Sequence, residues 1–240
     1  MRVLYLLALL WAAPVAAVEC RDQNHAGNQY TICEVDSGAE DLRLFLFQDE
    51  ARVWGGFAPI NDALAKAGKR LVFAMNAGMY HADRAPVGLY SEGEIVIQPL
   101  ITSAGPGNFG LLPNGVFCIG DGRADVVETK QFARDAVQCK AANQSGPMLV
   151  IDGALHPRFL PDSTSRYVRN GVGTSADGQR AVFVISNNAV TFHEFGTVFR
   201  DILNLPNALY FDGNISRLYA PALKRDDAGF PMGPIVGVVE

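Results

Sequence analysis

Apolar positions along this chain fall mostly in short runs that alternate or are continuous, the pattern of strands rather than helices. Leu42, Leu44 and Leu46 alternate with Arg43, Phe45 and Phe47. A strand over residues 41–48, buried on both faces apart from Arg43, is expected. Continuous apolar runs predict further strands at 71–75, 114–120, 148–151, 171–175, 180–186 and 208–211, with closing strands at 217–219 and 234–239. Residues 86–97 read as a β-hairpin that turns at Ser91-Glu92-Gly93. Helical spacing is clear in two places. Ile60, Ala63, Leu64 and Ala67 predict a short helix over 59–66, stopped by Gly68. Phe192, Phe195, Val198, Phe199 and Ile202 predict the longest helix, 191–204, as a core stripe ended by Pro206. A looser pattern suggests a short helix within 128–142.

No composition shift, repeat or linker divides the chain. The expectation is one α+β domain over 18–240, a mixed β-sheet of many short strands packed by one long and one or two short helices. Before it, Arg2 followed by apolar residues 3–12 and the small residues Pro14-Val15-Ala16-Ala17 reads as a signal peptide cleaved after Ala17. The expected location is periplasmic or secreted, with no membrane span in the mature chain. Losing Arg2 with the signal moves the formal charge from −5 to −6. An acidic chain argues against nucleic acid as partner.

The four cysteines, Cys20, Cys33, Cys118 and Cys139, are an even number in an exported chain, which points to two disulfides. Three connectivities are open, and nearest-neighbour pairing, Cys20–Cys33 and Cys118–Cys139, is the expectation. No cysteine has close metal-ligand spacing.

Candidate chemistry gathers where predicted strands end. Strand 208–211 runs into Asp212-Gly213-Asn214-Ile215-Ser216, a carboxylate, a turn glycine and two small polar side chains. Strand 71–75 runs into Asn76, with Tyr80 as a stacking ring and His81 as a titratable group just beyond. Strand 148–151 is preceded by Ser145-Gly146-Pro147, which can line a site, and followed by Asp152-Gly153, which reads as a hairpin turn. Arg169 stands just before strand 171–175 as an anion clamp, and Asn187 just after strand 180–186.

The ordered series Asn76-Ala77-Gly78-Met79-Tyr80, Pro86-Val87-Gly88, Asn114-Gly115-Val116-Phe117, Ser145-Gly146-Pro147-Met148-Leu149 with Asp152-Gly153, Arg169-Asn170-Gly171-Val172-Gly173 and Asp212-Gly213-Asn214-Ile215-Ser216 resembles the phosphodiester glycosidase family. The resemblance covers roughly residues 40–239, nearly the whole mature chain, and is nearer to the short exported bacterial members. Two motifs depart from it. The family often has Asn-Gly-Gly-Phe-Phe where this chain has Asn76-Ala77-Gly78-Met79-Tyr80. It often has Asp-Gly-Gly-Gly-Ser where this chain has Asp212-Gly213-Asn214-Ile215-Ser216. Losing those glycines narrows or reshapes the pocket.

The resemblance implies hydrolysis of a sugar-1-phosphodiester at the glycosidic carbon, with a phosphomonoester as leaving group. On that footing Arg169 holds phosphate and Asp212 is base or nucleophile. Asp152 would be the second carboxylate and His81 the spare acid. Asn76, Asn187 and Ser216 hold hydroxyls or phosphate oxygens, while Tyr80, Ser145, Gly146 and Gly213 complete the substrate site. The chemistry requires no cofactor. A divalent cation such as calcium is allowed, although no loop spells a calcium motif. The competing readings are a non-catalytic glycan- or envelope-binding protein on the same scaffold and a periplasmic interaction protein.

Overall fold

The structure is a computed structural model describing residues 18–49, 52–93 and 95–240. The expected signal peptide, 1–17, lies outside the described residues.

Three antiparallel sheets enclose one core. The largest has seven strands in the order Glu19–His25, Asn28–Asp36, Arg180–Ser186, Asn170–Thr174, Asn207–Asp212, Met148–Ile151 and Ala154–Leu155. The second orders Arg225–Asp226, Leu218–Ala220, Leu71–Asn76, Ile235–Val239 and Asp41–Phe45. The third orders Ile95–Gln98, Tyr90–Glu92, Ala141–Ser145, Gly115–Ile119 and Ala124–Glu128. Every strand pair among the described residues is antiparallel, which corrects the expected mixed sheet. Parallel neighbours need long crossover connections, usually helical, and this chain has few helices to supply them.

Phe183 and Phe211 from the first sheet, Phe73 from the second and Phe117 from the third meet at the centre. The Phe73–Phe183, Phe117–Phe183 and Phe117–Phe211 ring centroids are 4.8, 5.8 and 6.2 Å apart. In the large sheet the alternate residues face outward. Ile32, Val182, Val184 and Ala208 pack against Phe195, Val198 and Phe199, while Cys33, Phe183, Ile185 and Leu209 face the shared core. Burial on both faces is why these strands read as unbroken apolar runs.

The expected long helix is an α-helix of only six residues, Phe192–Thr197, continued by a π-helical turn, Val198–Ile202. A capping box opens it: Thr191 Oγ1 accepts from Glu194 N at 3.1 Å and Glu194 Oε2 accepts from Thr191 N at 2.8 Å. Phe195, Val198 and Phe199 are buried as expected, but Ile202 is 37% exposed. The wider turn rotates it out of the stripe. The two short helices are Phe57–Ala65 and Thr129–Asp135.

Both expected disulfides are present, Cys20–Cys33 and Cys118–Cys139. The first joins register partners of an N-terminal hairpin, Glu19–His25 with Asn28–Asp36, that the hydrophobic pattern did not mark. No helix among the described residues is long and apolar enough to cross a membrane.

Candidate functional site

Strand ends from the sheets meet at one pole. Asn170 pairs with Asp212 and Gly171 with Tyr210, so the register slips by one residue between them. This bulge re-aims the end of the strand, a device common beside functional sites. Ser145 Oγ donates to the Phe211 carbonyl at 3.1 Å and ties the bulge to the third sheet.

Asn76 and Asn170 clamp the strand ends together. Asn170 Nδ2 donates to the Asn76 carbonyl at 2.7 Å, and its Oδ1 accepts from Asp212 N at 3.2 Å. Asn76 Nδ2 donates to Ile215 O at 2.6 Å and Asn170 Oδ1 at 3.2 Å, while its Oδ1 accepts from Arg217 N at 2.8 Å. Asn76 is thus fully buried and fully occupied by protein partners. In this structure it braces the site. Ser216 Oγ lies 3.0 Å from Val168 O and 3.2 Å from Asp212 O, closing the same turn.

Asp212 stands on this frame. Its Oδ1 accepts from Gly213 N at 2.6 Å and Asn214 N at 2.9 Å. Burial nevertheless holds its carboxyl above the ordinary carboxylate range, with the amides of Asn214, Gly213 and Ile215 pulling the other way. Two tyrosines flank it. Burial, and next the Asp212 charge, raise the Tyr80 hydroxyl. Burial also raises Tyr210 far above a free phenol, with Arg169 opposing and Asp212 adding to the shift. A Cβ on Gly213 would stand 2.1 Å from the Tyr210 hydroxyl, so glycine there is what lets the phenol pass. Likewise a Cβ on Gly233 would meet the Tyr80 ring at 2.5 Å.

Arg169 is 1% exposed. Its Nε donates to Val190 O at 2.9 Å, one terminal nitrogen to Ser165 O at 3.1 Å and the other to Tyr210 Oη at 3.3 Å. The guanidinium lies 3.7 Å from the Phe192 ring centroid, with the Tyr167 and Tyr210 rings at 5.4 and 5.5 Å. Among the described residues no acid pairs with it. Glu194, the carboxylate of the adjoining helix, is taken by the capping box and by Arg166, 2.6 Å away. Burial lowers the Arg169 pKa, yet a guanidinium keeps its charge in proteins. A buried cation and a partly buried carboxylate therefore both neighbour the Tyr210 hydroxyl.

The remaining candidates lie elsewhere. Asp152 is an exposed turn residue, φ 48°, whose amide donates to Asn207 Oδ1 at 3.1 Å. Asn207 opens the strand that Asp212 closes, so the two carboxylates are roughly 17 Å apart along it. They do not flank one bond. His81 is exposed in the turn after Tyr80, with its amide bonded to Ala85 O. Asn187 faces Thr31 and Arg225 instead of Asp212. Gly146 packs under Asn114, where a Cβ would approach to 2.5 Å, so it lines the frame. Among the described residues no three His, Cys, Asp or Glu side chains converge as a metal site.

The sequence profile described as phosphodiester glycosidase matches residues 69–236. The chain belongs to the phosphodiester glycosidase family. A curated relative, the uncharacterized protein YigE of Escherichia coli K12, is 33% identical over 220 residues, covering 91% of this chain and 84% of that one. The fold resembles the zebrafish N-acetylglucosamine-1-phosphodiester alpha-N-acetylglucosaminidase catalytic domain auto-inhibited by its pro-peptide. The TM-score is 0.61 at 11% identity, over 95% of this chain and 84% of that one. It also resembles a hypothetical protein from Synechocystis, TM-score 0.58 at 13% identity; 92% of this chain is covered but only 61% of that one.

In this family member, pattern reading missed Tyr210, Asn170 and Phe192. Tyr210 and Phe192 fall within apolar patterns, and apolar spacing cannot tell a packed ring from one that stacks on a buried cation. Asn170 carries no periodic signal, and only its place beside Arg169 marked it.

Proposed function

We propose that this protein is an exported hydrolase that cleaves the glycosidic bond of a sugar-1-phosphodiester in an envelope or extracellular glycoconjugate. The observation that carries this reading is Arg169, a buried guanidinium without a carboxylate partner among the described residues, bonded to Tyr210, which also neighbours Asp212. A charge taken out of water without a counter-ion costs several kcal/mol. Carbonyls and ring faces soften that cost, and a phosphate oxygen would remove it. The two disulfides fit an oxidising compartment.

The phosphodiester binds with an anionic oxygen at Arg169 and the anomeric carbon toward Asp212. The C1–O bond breaks and its electron pair leaves with the phosphate, which departs as a phosphomonoester. Water supplies the new oxygen at C1, and Asp212 acts as base toward that water or as nucleophile ahead of it. The Tyr210 hydroxyl, hydrogen-bonded to Arg169, orients the leaving phosphate. Ser216 and the 213–215 amides hold the Asp212 turn rigid. A single carboxylate suffices because a phosphomonoester leaves without strong general-acid help.

The test is product release from a panel of sugar-1-phosphate diesters. Turnover by the wild type and its loss in Asp212→Asn, with substrate affinity retained, supports the reading. Binding of a diester without turnover by any form would make this a glycan-binding protein on a glycosidase scaffold.

A further inference from the structure

Ten arginines of the described chain lie within salt-bridge distance of an acid. Among the described residues only Arg84, Arg158, Arg169 and Arg217 do not. Three of the four neighbour the tyrosines that flank Asp212. Arg169 is bonded to Tyr210, and Arg84 and Arg217 lie near Tyr80. The Arg84 guanidinium sits 5.4 Å from the Tyr80 ring centroid, held by a bond to Ala82 O at 3.1 Å. Arg84 itself has φ 73°, a left-handed backbone rarely adopted by a long side chain. Arg217 follows Ser216 directly. Its Nε donates to Asp227 O at 2.7 Å, one terminal nitrogen donates to Phe230 O at 2.9 Å, and its plane lies over Phe57.

Arg217 also opens into a groove of about 560 Å³ lined by Trp54, Gly55, Phe57, Asp226 and Gly229. That volume is within the range of small-molecule sites. An indole face and a carboxylate acceptor suit a sugar ring and its hydroxyls, and the arginines suit an anion. The chain pairs its other arginines except Arg158 with acids, and among the described residues it leaves Arg84, Arg169 and Arg217 without one, beside the two tyrosines that flank Asp212.

We propose that the substrate carries a second anionic group beside the scissile diester: it is a polymer of sugars joined by phosphodiesters, whose neighbouring unit lies in the Trp54 groove with its phosphate at Arg84 and Arg217. This rests on the proposed hydrolase reading for the chemistry at Asp212. The recognition at Arg84 and Trp54 is independent of whether the bond is cut.

The experiment compares three synthetic substrates: a single sugar-1-phosphate diester, the same diester extended by one phosphodiester-linked sugar, and the single diester bearing a uronate. Wild type, Trp54→Ala and Arg84→Gln are assayed by turnover and by isothermal titration. The expected result is a KM about tenfold lower for the extended substrate than for the single diester. That preference disappears in both variants and in high salt, while turnover of the single diester stays within about twofold. Equal KM for single and extended substrates in the wild type overturns the inference and leaves the hydrolase reading intact. An equal gain from the uronate overturns the polymer and makes the second anion a carboxylate. If nothing is cleaved, the hydrolase reading fails, and titration decides the inference. Tighter binding of the extended ligand that Arg84→Gln abolishes supports it, and equal binding of all three overturns it.

Discussion

Replacing Arg169 by Met separates a binding arginine from a structural one. The substitution removes a charge that is 1% exposed and has no acid partner. It forfeits three hydrogen bonds, each about 1.5–3 kcal/mol when the donor is charged, and the stacking on Phe192. It also relieves a desolvation penalty of several kcal/mol. Of the three partners, Val190 O keeps its bond from Tyr167 N at 3.1 Å and Ser165 belongs to an exposed segment, so only the buried Tyr210 hydroxyl is left without its partner. The aliphatic Met fills the stem volume and contacts the Phe192 ring. These terms oppose one another, so the net change is expected within about 2 kcal/mol, against roughly 3–5 kcal/mol for breaking a buried ion pair. The assay is urea unfolding of both proteins with and without inorganic phosphate. Phosphate at 100 times its Kd stabilises the wild type by about 2.7 kcal/mol, or roughly 5–10 °C in Tm for a domain this size. It leaves Arg169→Met unmoved. A loss of 3–5 kcal/mol in the variant, or equal stabilisation of both proteins by phosphate, would refute the reasoning.

Other consequences are as direct. Burial raises the Asp212 carboxyl in the folded state, so its stability contribution is present below the unfolded-state pKa and is lost as pH rises through the folded one. Asp212→Asn keeps the acceptor for the Gly213 and Asn214 amides. It should therefore melt above wild type at pH 7, with the gap closing as pH falls toward 4; a gap independent of pH sinks this account. The same shift sets the acidic limb of the activity profile above the ordinary carboxylate range. Gly213→Ala drives a Cβ into the Tyr210 hydroxyl, 2.1 Å away in the present geometry. We expect kcat/KM to fall on the order of 10²-fold with the circular dichroism spectrum unchanged, and unimpaired activity would disprove the close approach. Closing loops of 13 and 21 residues, the disulfides each stabilise by about 3 kcal/mol on the chain-entropy model. Reduction should lower the urea midpoint accordingly, and an unchanged midpoint would show that they carry no such load.

How much of this was legible follows from what burial does to a sequence. Strands such as Arg180–Ser186 and Asn207–Asp212 are apolar on both faces and announce themselves. Ala141–Ser145 is equally buried but reads Ala-Ala-Asn-Gln-Ser, with no apolar run to mark a strand, and its first two residues overlap the weak helical pattern of 128–142. Its Asn143 accepts from Gly78 N at 2.6 Å, and its Gln144 from Leu89 N and Ile101 N at 3.0 Å each. Polar side chains become core only through partners distant in sequence, which no local window contains. The N-terminal hairpin was missed for a related reason: its outer strand, Glu19–His25, is mostly polar and lies at a sheet edge.

The sequence by itself determined which strands end in polar residues, and it pointed to the neighbouring cysteine pairs that the structure shows. The ordered motifs were enough to indicate the family. Only the tertiary structure decided which strand ends meet. It sent Asp152 to the far end of the strand that carries Asp212, turned Asn187 toward Arg225, and made Asn76 a brace. It also brought Tyr210 beside a cation and a carboxylate, and left Arg84, Arg169 and Arg217 without acids among the described residues. Pairing register and charge partnership depend on residues tens to hundreds of positions apart, and folding alone sets those distances.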